Sequence, residues 1–195
     1  MNNPTKAKVN GTIYDINTDF RVAIKCNNVA NDKSICDTER ALAIIYLLYG
    51  DKGLEIPENY AKLLEIGQKF LLCGNEYEEP TDEADFDFEQ DMNYIETSFM
   101  SDYGINIDKD TKIHWWKFND LLNGLSNSEL GNCCVLNRIR NLRNFDTNKI
   151  DDVKERTKIE EAQKRVALKK KTIEFTKEQQ ESADLFDRLI NGKEE

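Results

Sequence analysis

The chain has 195 residues, 39% of them apolar, which suits one buried core with an appendage and leaves too little for two full domains. Its formal net charge of −10 is unevenly spread: residues 75–110 hold thirteen carboxylates against Lys109 alone, so that segment carries −12 and the rest of the chain +2. Such a belt repels phosphate and argues against nucleic-acid binding, while the longest apolar run, Ala41 to Tyr49, falls well short of the ~20 residues a membrane-spanning helix needs.

Met1 to Phe20 carries no apolar signal-peptide core, so an intracellular protein with no membrane segment is expected. The five cysteines, Cys26, Cys36, Cys73, Cys133 and Cys134, have no C-x-x-C spacing and no histidine cluster beside them, and reduced thiols are the simplest reading. Lys6 to Ile16 predicts a β-hairpin, because Asn10-Gly11 is the pair that best tolerates the positive backbone angles of a type I′ turn. Thr18 or Asp19 then caps a helix that places Phe20, Ala23 and Ile24 on one face. Asp37 or Thr38 caps the next, Glu39 to Tyr49, with Leu42, Ile45, Tyr46 and Tyr49 as its core face.

Pro57 opens a further helix at its first turn, where a missing N–H costs little. Tyr60, Leu63, Leu64, Phe70 and Leu71 supply its buried side, and Gly74 stops it. Asn75 to Ala84, with Pro80 and five acidic residues, reads as an exposed loop. Asp87 to Tyr103 predicts a helix with Phe88, Met92, Ile95, Phe99 and Met100 inward, ended by Gly104. After Asp110-Thr111 comes a short aromatic helix in which His114, Trp115, Trp116 and Phe118 crowd together and Leu121, Leu122 and Leu125 continue the apolar face. Asn127 or Ser128 caps a short helix through Leu136 and Ile139, and the arginine-bearing piece to Phe145 is ambiguous.

From Lys149 the composition shifts. Ile150 to Lys171 has no proline or glycine and alternates charges around a thin apolar line at Val153, Ile159, Ala162 and Val166, the profile of a solvated helix with one narrow adhesive edge. Thr176 to Asn191 carries the capping-box pattern Thr176-x-x-Gln179 and an apolar patch of Leu185, Phe186, Leu189 and Ile190. The fold class expected is mainly α: a helical bundle with a short N-terminal β-hairpin over residues 1–145 and an extended, charged helical C-terminal region over residues 146–195.

Chemistry is sparse along this chain. Asp85, Asp87, Glu89, Asp91, Asn93 and Glu96 fall at the ligand positions of an EF-hand count, but Gln90 stands where that loop needs glycine, and the plainer reading is carboxylates at a helix N-terminus. His114 is the sole histidine, no nucleophile elbow accompanies it, and beside two tryptophans at a helix start it reads as a packing or capping residue. Lys164-Arg165 and Lys169 to Lys171 are flanked by glutamates and read as a solvated face. No phosphate-loop, dinucleotide or zinc-protease motif occurs. No catalytic residue, cofactor or metal ligand is assigned. Trp115 and Trp116 point about 100° apart on a helix, so one ring can enter the core while the other stays partly exposed and marks a partner surface; the alternative is that both are core.

Taken with its approach segment, Asp85 to Ile107, the aromatic stretch Tyr103 to Leu125 resembles the phage family named after "gene product fifteen", encoded by tailed phages among their tail genes. Val9 to Arg21, VNGTIYDINTDFR, resembles the family's opening, and FLLCG at Phe70 to Gly74 is a third match in the same order. The resemblance covers roughly residues 8–145. It implies a non-catalytic tail assembly protein, with tape-measure protein or major tail protein as the partner, or both. By the same analogy the protein works in the host cytoplasm, is absent from the mature virion, and has room for homo-oligomerisation. A minor structural component of the tail is the alternative, followed by a small host-directed regulator or enzyme. Partner contact is expected at Trp115, Trp116 and Phe118 and at Leu185, Phe186, Leu189 and Ile190.

Overall fold

The structure is a computed structural model and describes residues 3–77, 85–107, 111–127 and 133–169. Strands β1 (Lys6–Val9) and β2 (Thr12–Asp15) pair antiparallel with Val9 opposite Thr12 and Ala7 opposite Tyr14. Asn10 and Gly11 take φ of 48° and 83°, the two left-handed positions a type I′ turn requires. The period-2 pattern turns Ala7, Val9 and Tyr14 inward and leaves Lys6, Lys8 and Ile13 in water. Tyr14 accepts a 2.7 Å hydrogen bond from the Asn59 amide, and the Asn10 amide donates to Asn59 Oδ1 at 2.8 Å, which ties the hairpin tip to the body through a buried asparagine.

Helix α1 (Phe20–Asn31) starts where Asp19 accepts from the Arg21 N–H at 2.9 Å. Helix α2 (Asp37–Tyr49) has its cap at Cys36, one residue before Asp37 and two before Thr38, the two expected caps. The Cys36 backbone N–H donates to the Glu39 carboxylate at 2.8 Å, so the capping box is built on Cys36 and Glu39 in place of a cap at Asp37 or Thr38. Ile44, Ile45, Leu48 and Tyr49 are its buried side, and Tyr46 faces solvent. Helix α3 (Asp51–Leu54) and a 3-10 turn at Pro57–Asn59 lead into α4 (Tyr60–Leu71).

Helix α5 (Met92–Tyr103) is shorter than the expected Asp87 to Tyr103. Asp87 Oδ1 accepts from the Glu89 and Gln90 N–H groups, an Asx turn that competes with helix, so regular structure starts only after Asp91. Ile95 and Phe99 are buried as expected, whereas Met100 is exposed. Then come α6 (Trp115–Asn123), α7 (Val135–Asn144) and α8 (Val153–Val166). The ambiguous arginine-bearing segment is thus helical, and its cap is Cys134, whose Sγ accepts from the Asn137 N–H at 3.4 Å, in place of Asn127.

The hairpin, α1, α2 and α4 form one group, α5 and α7 another, and α6 packs against both α1 and α5 to join them. The architecture is therefore mainly α with one short hairpin. The core runs continuously from Tyr14 and Phe20 through Leu48 and Leu63 to Phe99, Phe118 and Leu136. All five cysteines are free thiols. Among the described residues no helix is long and apolar enough to cross a membrane. Leu185, Phe186, Leu189, Ile190 and the Thr176 capping box lie outside the described residues.

Candidate functional site

The aromatic helix is assembled from three distant parts of the chain. Its approach strand pairs with the approach to α1: the Trp115 N–H donates to Thr18 O at 2.8 Å and the Phe20 N–H to Ile113 O at 3.0 Å. His114 caps α6. Its Nδ1 accepts from the Trp116 N–H at 3.1 Å while Nε2 lies 3.0 Å from Pro4 O. A carbonyl can only accept and an amide N–H can only donate, so the imidazole is the Nε2–H tautomer, holding the N-terminal segment with one nitrogen and the helix with the other. Its ring also meets Phe70 edge-on at 5.7 Å.

Each tryptophan then does a similar job. The Trp115 indole N–H donates to Leu71 O at 2.9 Å, and the Trp116 indole N–H to Phe70 O at 2.8 Å. These carbonyls belong to the last turn of α4, which has no partners within its own helix. The indoles give Leu71 O a partner and Phe70 O a second one beside the Cys73 N–H at 3.1 Å, so the Trp-Trp pair completes the C-terminal cap of another helix. The chain then turns away through Cys73 and Gly74, at φ of 54° and 81°, and the Trp116 ring lies over Gly74 where a Cβ would approach within 3.3 Å. Gly74→Ala is expected to cost about 1–2 kcal/mol from the left-handed backbone, with more if the indole shifts, measured as a lower urea midpoint.

Phe118 completes the joint. It is fully buried and stacks on Phe20 at 4.3 Å with 6° between the planes, and it meets Phe99 at 5.3 Å, Trp115 at 5.9 Å and Phe88 at 6.3 Å. Of the aromatic residues expected to contact a partner, Trp115 (3% exposed) and Phe118 lie in the core, and Trp116 is half-buried. Of these three aromatic side chains, the helix therefore offers only part of Trp116 to solvent, beside the exposed Lys117, Asp120 and Asn123.

A second constellation joins the acidic segment to α7. Asp91 is 1% exposed, and both its oxygens accept from the Arg143 guanidinium at 2.7 Å, a bidentate pair. Arg143 also donates to Asp85 O at 3.0 Å and, through Nε, to Val166 O at 2.6 Å. The Asp91 hydrogen bonds raise the Arg143 pKa above its ordinary value, keeping it cationic. Arg140 Nε donates to Asp85 Oδ2 at 2.9 Å and its guanidinium lies 5.2 Å from the Phe86 ring centre. Asp85 and Asp91, two of the EF-hand positions, are thus turned toward arginines, and among the described residues no cluster of three metal-ligating groups is placed to hold an ion. A groove of about 480 Å³ opens beside this hub, lined by Asp85, Arg143, Gln163, Lys164 and Leu168 among others.

The geometry is that of a packed joint and a buried charge hub, each built from residues far apart in sequence. The family model described as Bacteriophage Gp15 protein matches residues 2–168. The chain belongs to the Bacteriophage Gp15 protein family. It is accordingly a phage protein, and the match takes in the hairpin, the aromatic joint, the Arg143 hub and all of α8. No curated protein and no solved structure matches it. Within this Gp15-family chain the Leu185, Phe186, Leu189 and Ile190 patch lies beyond the matched span. The Asp91–Arg143 pair is the feature that sequence reasoning passed over. Its one signal was an arginine-bearing segment following an acidic one, and nothing local says which carboxylate goes with which guanidinium.

Proposed function

We propose that this phage protein is a non-catalytic tail assembly protein, a chaperone that binds tape-measure protein, major tail protein or both in the host cytoplasm and leaves before the virion is complete. Membership of the Gp15 family over residues 2–168 carries the reading, through the place of such genes among tail genes. That step is an analogy of family and gene position, and the chemistry of the joint and the charge hub is in keeping with it. The conspicuous histidine and tryptophans serve as caps, and the acidic segment suits a partner carrying a basic face.

Because Trp115 and Phe118 are core residues, substitutions there test folding, and partner contact is better probed at the C-terminal apolar patch. Co-expression with tape-measure protein and with major tail protein should give co-purification with at least one of them. The pair Phe186→Asp and Leu189→Asp should cut the recovered partner about tenfold or more, as expected for losing two apolar anchors. Recovery at the wild-type level by the double variant would remove the patch from the interface. Mass spectrometry of purified virions separates the chaperone from a structural tail component, since a chaperone is absent and a structural protein persists.

A further inference from the structure

Helix α8 differs from every other helix of three turns or more among the described residues: none of its residues is buried. Its apolar line is thin, with Ile159, Ala162 and Val166 half-covered and Val153 69% exposed. The polar contacts that bind it to the body gather at its C-terminal end. Gln163 Nε2 donates to Leu142 O at 3.0 Å and to Phe145 O at 2.7 Å, the carbonyls at the end of α7. Arg143 Nε donates to Val166 O, and the Gln90 amide pairs reciprocally with the Lys169 backbone, accepting from its N–H at 2.8 Å and donating to its C=O at 3.1 Å. The N-terminal half is capped locally, with Asp152 accepting from the Lys154 and Glu155 N–H groups.

These contacts are of a kind that opens without disturbing the core. The carbonyls of Leu142, Phe145 and Val166 and the Gln90 amide can all exchange a protein partner for water, so the net loss per hydrogen bond is small. Arg143 gives up only its Nε contact on opening. Both Nη groups stay on Asp91, so no buried charge is stranded. The link between α7 and α8 is also suited to movement: Phe145 is 44% exposed, a single 3-10 turn at Thr147–Lys149 follows, and residues 150–152 are extended or irregular.

We propose that α8 is a clasp, a helix that swings off the face of α7 as a unit about residues 145–152 while the rest of the protein stays folded. Gln163 is the catch that sets how often it opens. Opening presents the α7 face, takes apart the groove beside Arg143 by removing its Gln163, Lys164 and Leu168 wall, and returns the apolar line of α8 to solvent as one edge. This behaviour does not depend on the identity of any partner.

Amide hydrogen exchange on the full-length protein, resolved by peptide, tests it. Amides of α8 should exchange at least about a hundredfold faster than those of α1, α2 and α5, as local opening below the global free energy requires. Gln163→Ala should speed α8 exchange by roughly another tenfold, from two lost hydrogen bonds, and leave α1, α2 and α5 unchanged. Equal protection of α8 and α2 in the wild type overturns the clasp, because α8 would then open only with the whole chain. Equal acceleration of α2 and α8 by Gln163→Ala overturns it as well.

Discussion

Phe118→Ala lowers the unfolding free energy by about 3–5 kcal/mol, the cost of deleting a large buried ring and leaving a cavity. The effect falls near the top of that range because Phe118 is a shared contact of Phe20, Phe99, Trp115 and Phe88, which come from four separate parts of the chain. Those neighbours are themselves held, Trp115 by its bond to Leu71 O and Phe20 by its backbone bond to Ile113, so the walls cannot collapse into the space. For a domain with total stability of about 5–15 kcal/mol, a loss of this size brings it close to unfolding at 37 °C. Urea titration followed by far-UV circular dichroism measures it, and a loss below about 1 kcal/mol would show that the ring is not the centre of the core.

Asp91→Ala is expected to cost about 3–5 kcal/mol for a different reason, because it leaves the Arg143 guanidinium in a largely buried site without its anion. The Arg143 side chain is only 10% exposed, so water reaches it poorly. A double replacement, Asp91→Leu with Arg143→Met, should recover much of that loss, since it removes both charges and fills the space with apolar atoms. Equal destabilisation by the single and double variants would mean that the pair contributes little beyond its volume. In the double variant the Arg143 contacts to Asp85 O and Val166 O also disappear, so full recovery is not expected.

Much of the fold was legible from local patterns. Asn10-Gly11 specified its own turn, Gly104 sits in the left-handed position that ends α5, and the apolar spacing of α1, α4 and α6 matched the buried faces. His114 as a cap was also readable, because an imidazole before a helix has a nitrogen free to accept. The misreadings share a physical cause. The apolar spacing puts the start of α5 five residues too early because Phe88 continues it, and nothing local reveals that Asp91 is claimed by an arginine 52 positions later. Met100 and Tyr46 fit their helical faces but are about half exposed, because among the described residues no neighbouring element covers them. At the joint, the tryptophans announced themselves as aromatic mass. Their use as donors to the end of α4, 44 and 46 positions earlier, is a property of the assembled fold.

That arrangement decides what light can report about this molecule. The chain's two tryptophans occupy one joint, both indole N–H groups are hydrogen-bonded, and neither touches α7 or α8 among its described hydrogen-bond and ring contacts. Intrinsic fluorescence excited at the indoles is therefore a single-site gauge of the α4–α6 seam. It shifts when that seam parts and stays constant through events at the far end of the protein, so an unchanged emission spectrum on partner addition speaks only for the seam.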